Sequence, residues 1–312
     1  MRQCGASSHF EAEAFFARSH FTTPCGRAPV HPIIRAVSGG CRYKASGVWF
    51  ARGGVISMTD FQNEVLARVE ENRRNKEFAE AGTAFMRASF VSKYSYNFAW
   101  LGRPIIQYPQ DIVAMQELIW KIRPDLIIET GIAHGGSLIL SASMLALLDY
   151  CDALAGGTML DPAEPRRKVL GIDIDIRAPN RVAVEAHPMS NRIDMIQGSS
   201  ISPEIISQVR DRARGCGAVL VCLDSNHTHD HVLAELRAYA PLATCGSYCV
   251  VFDTMIEDLP AAAVDRPWGP GNNPKTAVWE FLEEQSMFEI DKQIEHRLMI
   301  SVAPDGYLKR VR

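Results

Sequence analysis

From Pro109 to Gln285 the chain alternates helical and strand-like patterns almost without a break, and this regularity restricts the fold more than any other feature of its 312 residues. Helical patterns fall at 111–122, 136–149, 179–187, 203–213, 229–239 and 275–285, with strand-like runs at 125–129, 168–173, 192–197, 218–223 and 247–252. Strands that follow one another through helical crossovers pair in parallel, so the pattern predicts an α/β, doubly wound, mainly parallel sheet with helices on both faces. The runs "DLIIE", "VLGID", "AVLVCLD" and "SYCVVFD" are nearly all apolar and each ends in an acid. A strand buried on both faces reads this way, with its polar residue emerging at the carboxyl edge of the sheet. Ligands of open α/β sheets bind at that edge.

Composition bounds the rest. With 47% hydrophobic and 22% charged residues the chain can bury a sizeable core. No run approaches the ~18 to 20 apolar residues that cross a bilayer, and the start "MRQCGASSHFEAEAFF" interrupts any signal-peptide core with acids. A cytoplasmic protein without a membrane span is expected. Eight cysteines occur with no CxxC pair, and Cys222 and Cys249 lie inside apolar runs, which favours buried reduced thiols over disulfides or zinc. A net charge of −3 argues against nucleic acid as a partner.

Charge is uneven along the chain. Residues 1–57 carry seven Lys and Arg against Glu11 and Glu13, in a Gly, Ser and Pro-rich stretch without sustained period. They read as a poorly structured N-terminal extension, explained most simply by translation upstream of a natural start near Met58. Thr59 then opens a helix in which Phe61, Val65, Leu66 and Val69 form one stripe. The expected organisation is therefore an extension over 1–57, a helical lead-in or lid over 58–110, and a catalytic domain over 111–312. Residues 254–274, "TMIEDLPAAAVDRPWGPGNNP", form a long loop after the fifth strand, and loops of that length are often functional.

The stretch "IIETGIAHGGSLI" at 127–139 joins the first strand to a helix through Gly131, Gly135 and Gly136. Missing side chains let a ligand reach the backbone there, and the helix start offers free N–H groups. The spacing is neither GxGxxG nor GxxxxGK[ST], so a standard dinucleotide loop and a P-loop are both unsupported. Asp173, at the end of the second strand, sits where an acid accepts both ribose hydroxyls of a nucleoside, and it could equally cap a helix. Glu129 beside the loop suits the cationic amino-acid portion of S-adenosylmethionine better than a pyrophosphate. In "QGSS", Ser199 and Ser200 lie near the expected adenine, or else cap the helix from Pro203.

After the fourth strand, "CLDSNHTHDHV" gathers Asp224, Asn226, His227, His229, Asp230 and His231. "HTHDH" is one residue short of the HxHxDH of dinuclear zinc hydrolases, so that reading falls, and His229 reads as an ordinary helix-start residue. Asp224 and Asp253 end the fourth and fifth strands, and two carboxylates there share a hard divalent cation such as Mg2+, with Asn226 or His227 as a further ligand. Both acids could instead be caps. His227 and His231 are the candidate general bases.

With these residues in view the chain resembles the cephalosporin hydroxylase / rhamnosyl O-methyltransferase family. The likeness spans about residues 90–312 and rests on "NFAWLGRPIIQYPQD", "IIETGIAHGGSLI", "GIDID", "LDSNHTHDHVLAEL", "GSYCVVFDT", "RPWGPGNNPKTAV" and "APDGYLKR". It implies a Rossmann-like class I methyltransferase fold and transfer of a methyl group from S-adenosylmethionine to an oxygen, with help from a divalent metal. The implied acceptor is a hydroxyl of a sugar, a surface polysaccharide or a glycosylated natural product, and further copies of the chain are the expected protein partners. The resemblance carries cofactor contacts onto Glu129, Gly131, Gly135, Ser137 and Asp173, and metal positions onto Asp224 and Asp253. Phe252 departs from relatives that place a second acid before Asp253. The competing readings are a nicotinamide oxidoreductase and a non-catalytic nucleoside-binding protein on the same fold.

Overall fold

The computed structural model describes residues 58–261 and 266–312, so the expectation for residues 1–57 lies outside the described residues. Two helices lead in, α1 (Met58–Arg74) and α2 (Lys76–Val91), the second capped by the Asn75 side chain, which accepts from Phe78 N. A short antiparallel hairpin follows, β1 (Phe98–Trp100) and β2 (Arg103–Ile105), then α3 (Pro109–Ile122), with Pro in its first turn where no N–H is missed.

The main sheet begins with β3 (Leu126–Thr130), followed by α4 (Gly136–Gly156), β4 (Lys168–Asp173), α5 (Ala178–Glu185), β5 (Ile193–Gln197), α6 (Pro203–Ala213), β6 (Val219–Leu223), α7 (His229–Tyr239) and β7 (Tyr248–Val251). After it come α8 (Pro274–Glu284), β8 (Phe288–Ile290), α9 (Lys292–Leu298) and β9 (Tyr307–Arg310). The strand order is β5-β4-β3-β6-β7-β9-β8, with the first five parallel and β9 antiparallel to both neighbours. The winding reverses between β3 and β6. That switch point opens a crevice at the carboxyl ends of the two strands.

All residues of β3, β6 and β7 are buried, and their side chains divide by the period of two expected of a strand. Ile127, Val169, Leu220 and Val250 pack under α3 and α4, whereas Ile128, Leu170, Val221 and Cys249 pack under α6, α7 and α8. Cys222 and Cys249 are buried free thiols, as their apolar surroundings require.

Two corrections follow. The helix expected over 136–149 continues for two more turns to Gly156, because Leu147, Tyr150 and Leu154 face outward and blur the helical period. By length and composition it could cross a membrane, but 56% of its apolar window is buried inside the protein, where it serves as the core helix over β3. The strands β8 and β9 escape the pattern because they span three and four residues, too short to display alternation.

One buried acid locks the start of α3 to the C-terminal segment. Asp111 accepts from Ser301 Oγ at 2.7 Å, Tyr307 OH at 2.8 Å and Val302 N at 3.0 Å, and burial outweighs these bonds to push its carboxyl from 3.8 up to about 6. An acid whose folded pKa is raised keeps its proton longer in the folded state, so stability is highest below its unfolded pKa and falls as pH rises toward about 6. The loss amounts to on the order of 3 kcal/mol. Denaturant titrations across pH 4 to 7 should therefore show a smaller fall with pH in Asp111→Asn than in the unsubstituted chain; an identical slope would show that another group sets it.

Candidate active site

The crevice is a cleft of about 950 Å³ whose floor is the glycine loop and whose far wall is made by the loops after β6 and β7. The glycine loop is held rather than loose. Gly131 N donates to Ile172 O at 2.8 Å, and Gly135 N closes a turn on Ile132 O at 2.7 Å. Asp173 lines the cleft, yet its carboxylate is occupied by backbone: Oδ2 accepts from Ile132 N at 2.8 Å and Ala133 N at 3.3 Å, and Oδ1 from Asp175 N at 3.0 Å. The carboxylate shapes the loop first and has only its remaining lone pairs for a ligand.

Glu129 is 4% exposed beneath the loop, where Ser137 Oγ donates to Oε1, and burial pushes its carboxyl up to about 7. Ser137 reaches the cleft and links it to this buried acid. Gly131 and Ser137 line the cleft, whereas Glu129 and Gly135 stand behind it as supports.

Opposite, Asp224 follows β6 and receives Gln107 Nε2 on Oδ2 at 3.3 Å. Burial, with the nearby charges of Asp253 and Glu129, holds its carboxyl well above the usual carboxylate range. Asp253 follows β7 in a left-handed conformation, φ 57°, which a non-glycine residue adopts at a cost of about 1 to 3 kcal/mol when its surroundings fix it. His227 Nε2 lies 3.2 Å from Asp253 Oδ2, and its ring meets Trp268 edge-on at 4.9 Å between centroids. Asp224, His227 and Asp253 each offer a ligand atom within 4.8 Å of the others.

Four expected site residues are not brought to this point. Asn226 turns its Oδ1 into the start of α7, accepting from Thr228 N and Thr228 Oγ1 at 2.9 Å each, so the third donor beside the two acids is His227. His231 does not line the cleft: its Nε2 lies 3.1 Å from Ser200 Oγ and 3.3 Å from Ser225 Oγ, near the fully buried Glu235. Ser200 is itself buried and its carbonyl accepts from Tyr239 OH, while Ser199 O accepts from Ser202 N at 3.0 Å. These groups pin the β5 and β6 loops together. His229 bonds Thr276 Oγ1 at 2.8 Å and Glu280 Oε2 at 3.0 Å, as a helix-start residue rather than a ligand.

Sequence reasoning missed Gln107, which grips Asp224 from the lead-in, and Trp268, which covers His227. Gln107 sits in "PIIQYPQD" with no periodic neighbours, and only its unusual burial, 7% exposed with Oε1 unpartnered among the described residues, distinguishes it.

The sequence profile of the family described as Rhamnosyl O-methyltransferase/CmcI matches residues 92–311. The rhamnosyl O-methyltransferase of Mycobacterium tuberculosis (strain ATCC 25618 / H37Rv) is 28% identical over 205 residues, 64% of this chain and 73% of that protein. Its namesake from Mycobacterium leprae is 27% identical over 215 residues, 68% of this chain and 82% of that protein. Among solved structures, the apo form of a TDP-rhamnose 3'-O-methyltransferase of calicheamicin biosynthesis aligns with a TM-score of 0.43 at 14% identity, over 84% of this chain and 96% of that one.

Proposed function

The chain belongs to the rhamnosyl O-methyltransferase/CmcI family and is an S-adenosylmethionine-dependent O-methyltransferase; we propose that its acceptor is a sugar hydroxyl, that Asp224 and Asp253 hold a divalent cation and that His227 takes the hydroxyl proton. The observation that carries this reading is the meeting of Asp224, His227 and Asp253 across one cleft from the glycine loop. Two carboxylates this close repel one another, and burial has already raised Asp224. A hard cation relieves both costs, and the oxygen-rich donor set suits Mg2+. When bound, such an ion lowers the pKa of a neighbouring hydroxyl.

The rest falls to the chain's own residues. The glycine loop, fixed by Asp173, would hold the cofactor. Glu129 lies beneath the loop and answers the positive charge of the cofactor's amino-acid portion. Asp253 orients the imidazole through Nε2, and Nε2 is the nitrogen that takes the proton, since Nδ1 is buried without a partner among the described residues. The acceptor oxygen then attacks the methyl carbon in line as the carbon–sulfur bond breaks. S-Adenosylhomocysteine leaves, the sulfonium charge is cancelled, and the hydroxyl proton passes to His227. Alignment of oxygen, carbon and sulfur supplies much of the rate.

Asp173→Ala tests the cofactor half. It removes an acceptor from two loop N–H groups and any contact left for the ribose, so calorimetry should show S-adenosylmethionine affinity lower by at least roughly tenfold. Unchanged affinity would remove the glycine loop from the cofactor site.

A further inference from the structure

The outer part of the cleft is built differently from its acidic floor. Lys93 and Arg266 both line it, one from the turn after α2 and the other from the loop after β7, and neither has a carboxylate partner among the described residues. Each is set on a braced backbone. Lys93 adopts φ 53° at the head of a 3-10 turn, with Lys93 N donating to Phe90 O and Tyr96 N to Lys93 O, both at 3.0 Å. The turn is anchored by Tyr94, whose ring packs on Phe85, Phe98 and Tyr108 at 5.1 to 5.5 Å. On the other side Gly269 and Asn272 exchange backbone bonds at 3.0 and 2.9 Å, Asn272 Nδ2 donates to Pro267 O at 3.0 Å, and Gly271 N to Glu257 Oε2 at 2.8 Å. The segment that presents Arg266 and Trp268 is thereby fixed at its base.

The order of these groups carries the inference. His227 meets Trp268 at 4.9 Å, and the Arg266 guanidinium lies 5.9 Å from the Trp268 ring, so acid-paired imidazole, indole and free cation follow one another along the wall. A negatively charged ligand is disfavoured beside Asp173 and attracted by the exposed Lys93 and Arg266. We propose that the acceptor carries an anionic group, a phosphate ester or a carboxylate, about one sugar ring away from the hydroxyl that is methylated. Trp268 packs against that ring, and Arg266 with Lys93 holds the anion. This identification of the acceptor rests on the methyl-transfer reading above.

Titration calorimetry on the protein loaded with S-adenosylhomocysteine tests it without requiring turnover. The ligands are a nucleoside-diphosphate 6-deoxyhexose, a hexose 1-phosphate, a hexuronic acid and a neutral methyl glycoside. At least one anionic ligand should bind roughly tenfold or more tightly than the methyl glycoside, since charge-assisted bonds are stronger than neutral ones. Whether the phosphates or the uronate gain identifies the anion. In the double variant K93Q/R266Q that preference should shrink at least about fivefold, with S-adenosylhomocysteine affinity and melting temperature unchanged. Equal binding of the neutral glycoside, no binding of any anionic ligand, or a preference retained in the double variant each overturns the proposal. Failure of the unsubstituted protein to bind S-adenosylhomocysteine would overturn the methyl-transfer reading itself and this proposal with it.

Discussion

Asp224→Asn should lower kcat roughly 1000-fold while leaving S-adenosylmethionine affinity within a few-fold, a loss of the size seen when a charge stabilising the reacting oxygen is removed. The amide keeps the size of the carboxyl and can still meet Gln107, but it cannot share a cation with Asp253. The stability change should have the opposite sign. Burial and the neighbouring Asp253 raise the Asp224 carboxyl, so in metal-free protein its ionisation opposes folding at neutral pH. The metal-free variant should therefore melt at the same temperature as the parent or higher. An inactive but more stable variant identifies a residue kept for function, because a structural cap behaves in the reverse way. Chelation of the parent should abolish turnover and added Mg2+ restore it; activity indifferent to both would take the metal out of the mechanism.

The sequence disclosed the sheet because four of its five parallel strands announce themselves through buried aliphatic runs ending in acids, a pattern that follows from burial on two faces. It disclosed the carboxyl-edge acids for the same reason, and the meeting of Asp224 and Asp253 within 4.8 Å of His227 follows from the parallel pairing of β6 with β7. What it could not disclose is side-chain direction within loops. Asn226 and His227 are neighbours of similar promise, and only the local turn decides that the amide bonds Thr228 while the imidazole reaches Asp253. Likewise Ser200 and His231 lie far apart in the chain and look like separate site candidates, yet they satisfy each other beneath the cleft. Gln107 and Trp268 reach the site from segments without any period, so no pattern in the sequence marks them.

Gly131→Ala should be the most damaging small substitution in the core of the site. Gly131 stands at φ +90°, where an L side chain is disfavoured, and an added Cβ would lie 2.1 Å from Asp224 O, 2.6 Å from Asp224 C and 3.0 Å from Ser225 Cα. All three are backbone atoms and cannot turn aside as a side chain would. The methyl group would have to force apart the two loops that carry the cofactor cradle and Asp224, so fold and function should fail together. A destabilisation of about 3 to 5 kcal/mol is expected, from overpacking added to backbone strain. For a domain of this size it should lower the melting temperature by roughly 10 °C. Gly246 separates the two contributions: its φ is +83°, but nothing lies within 4 Å of an added Cβ. Gly246→Ala should cost only the conformational part, about 1 to 2 kcal/mol, and leave S-adenosylmethionine affinity intact. If both alanines cost the same and neither touches cofactor binding, the contact between the β3 and β6 loops is not what holds the site in shape.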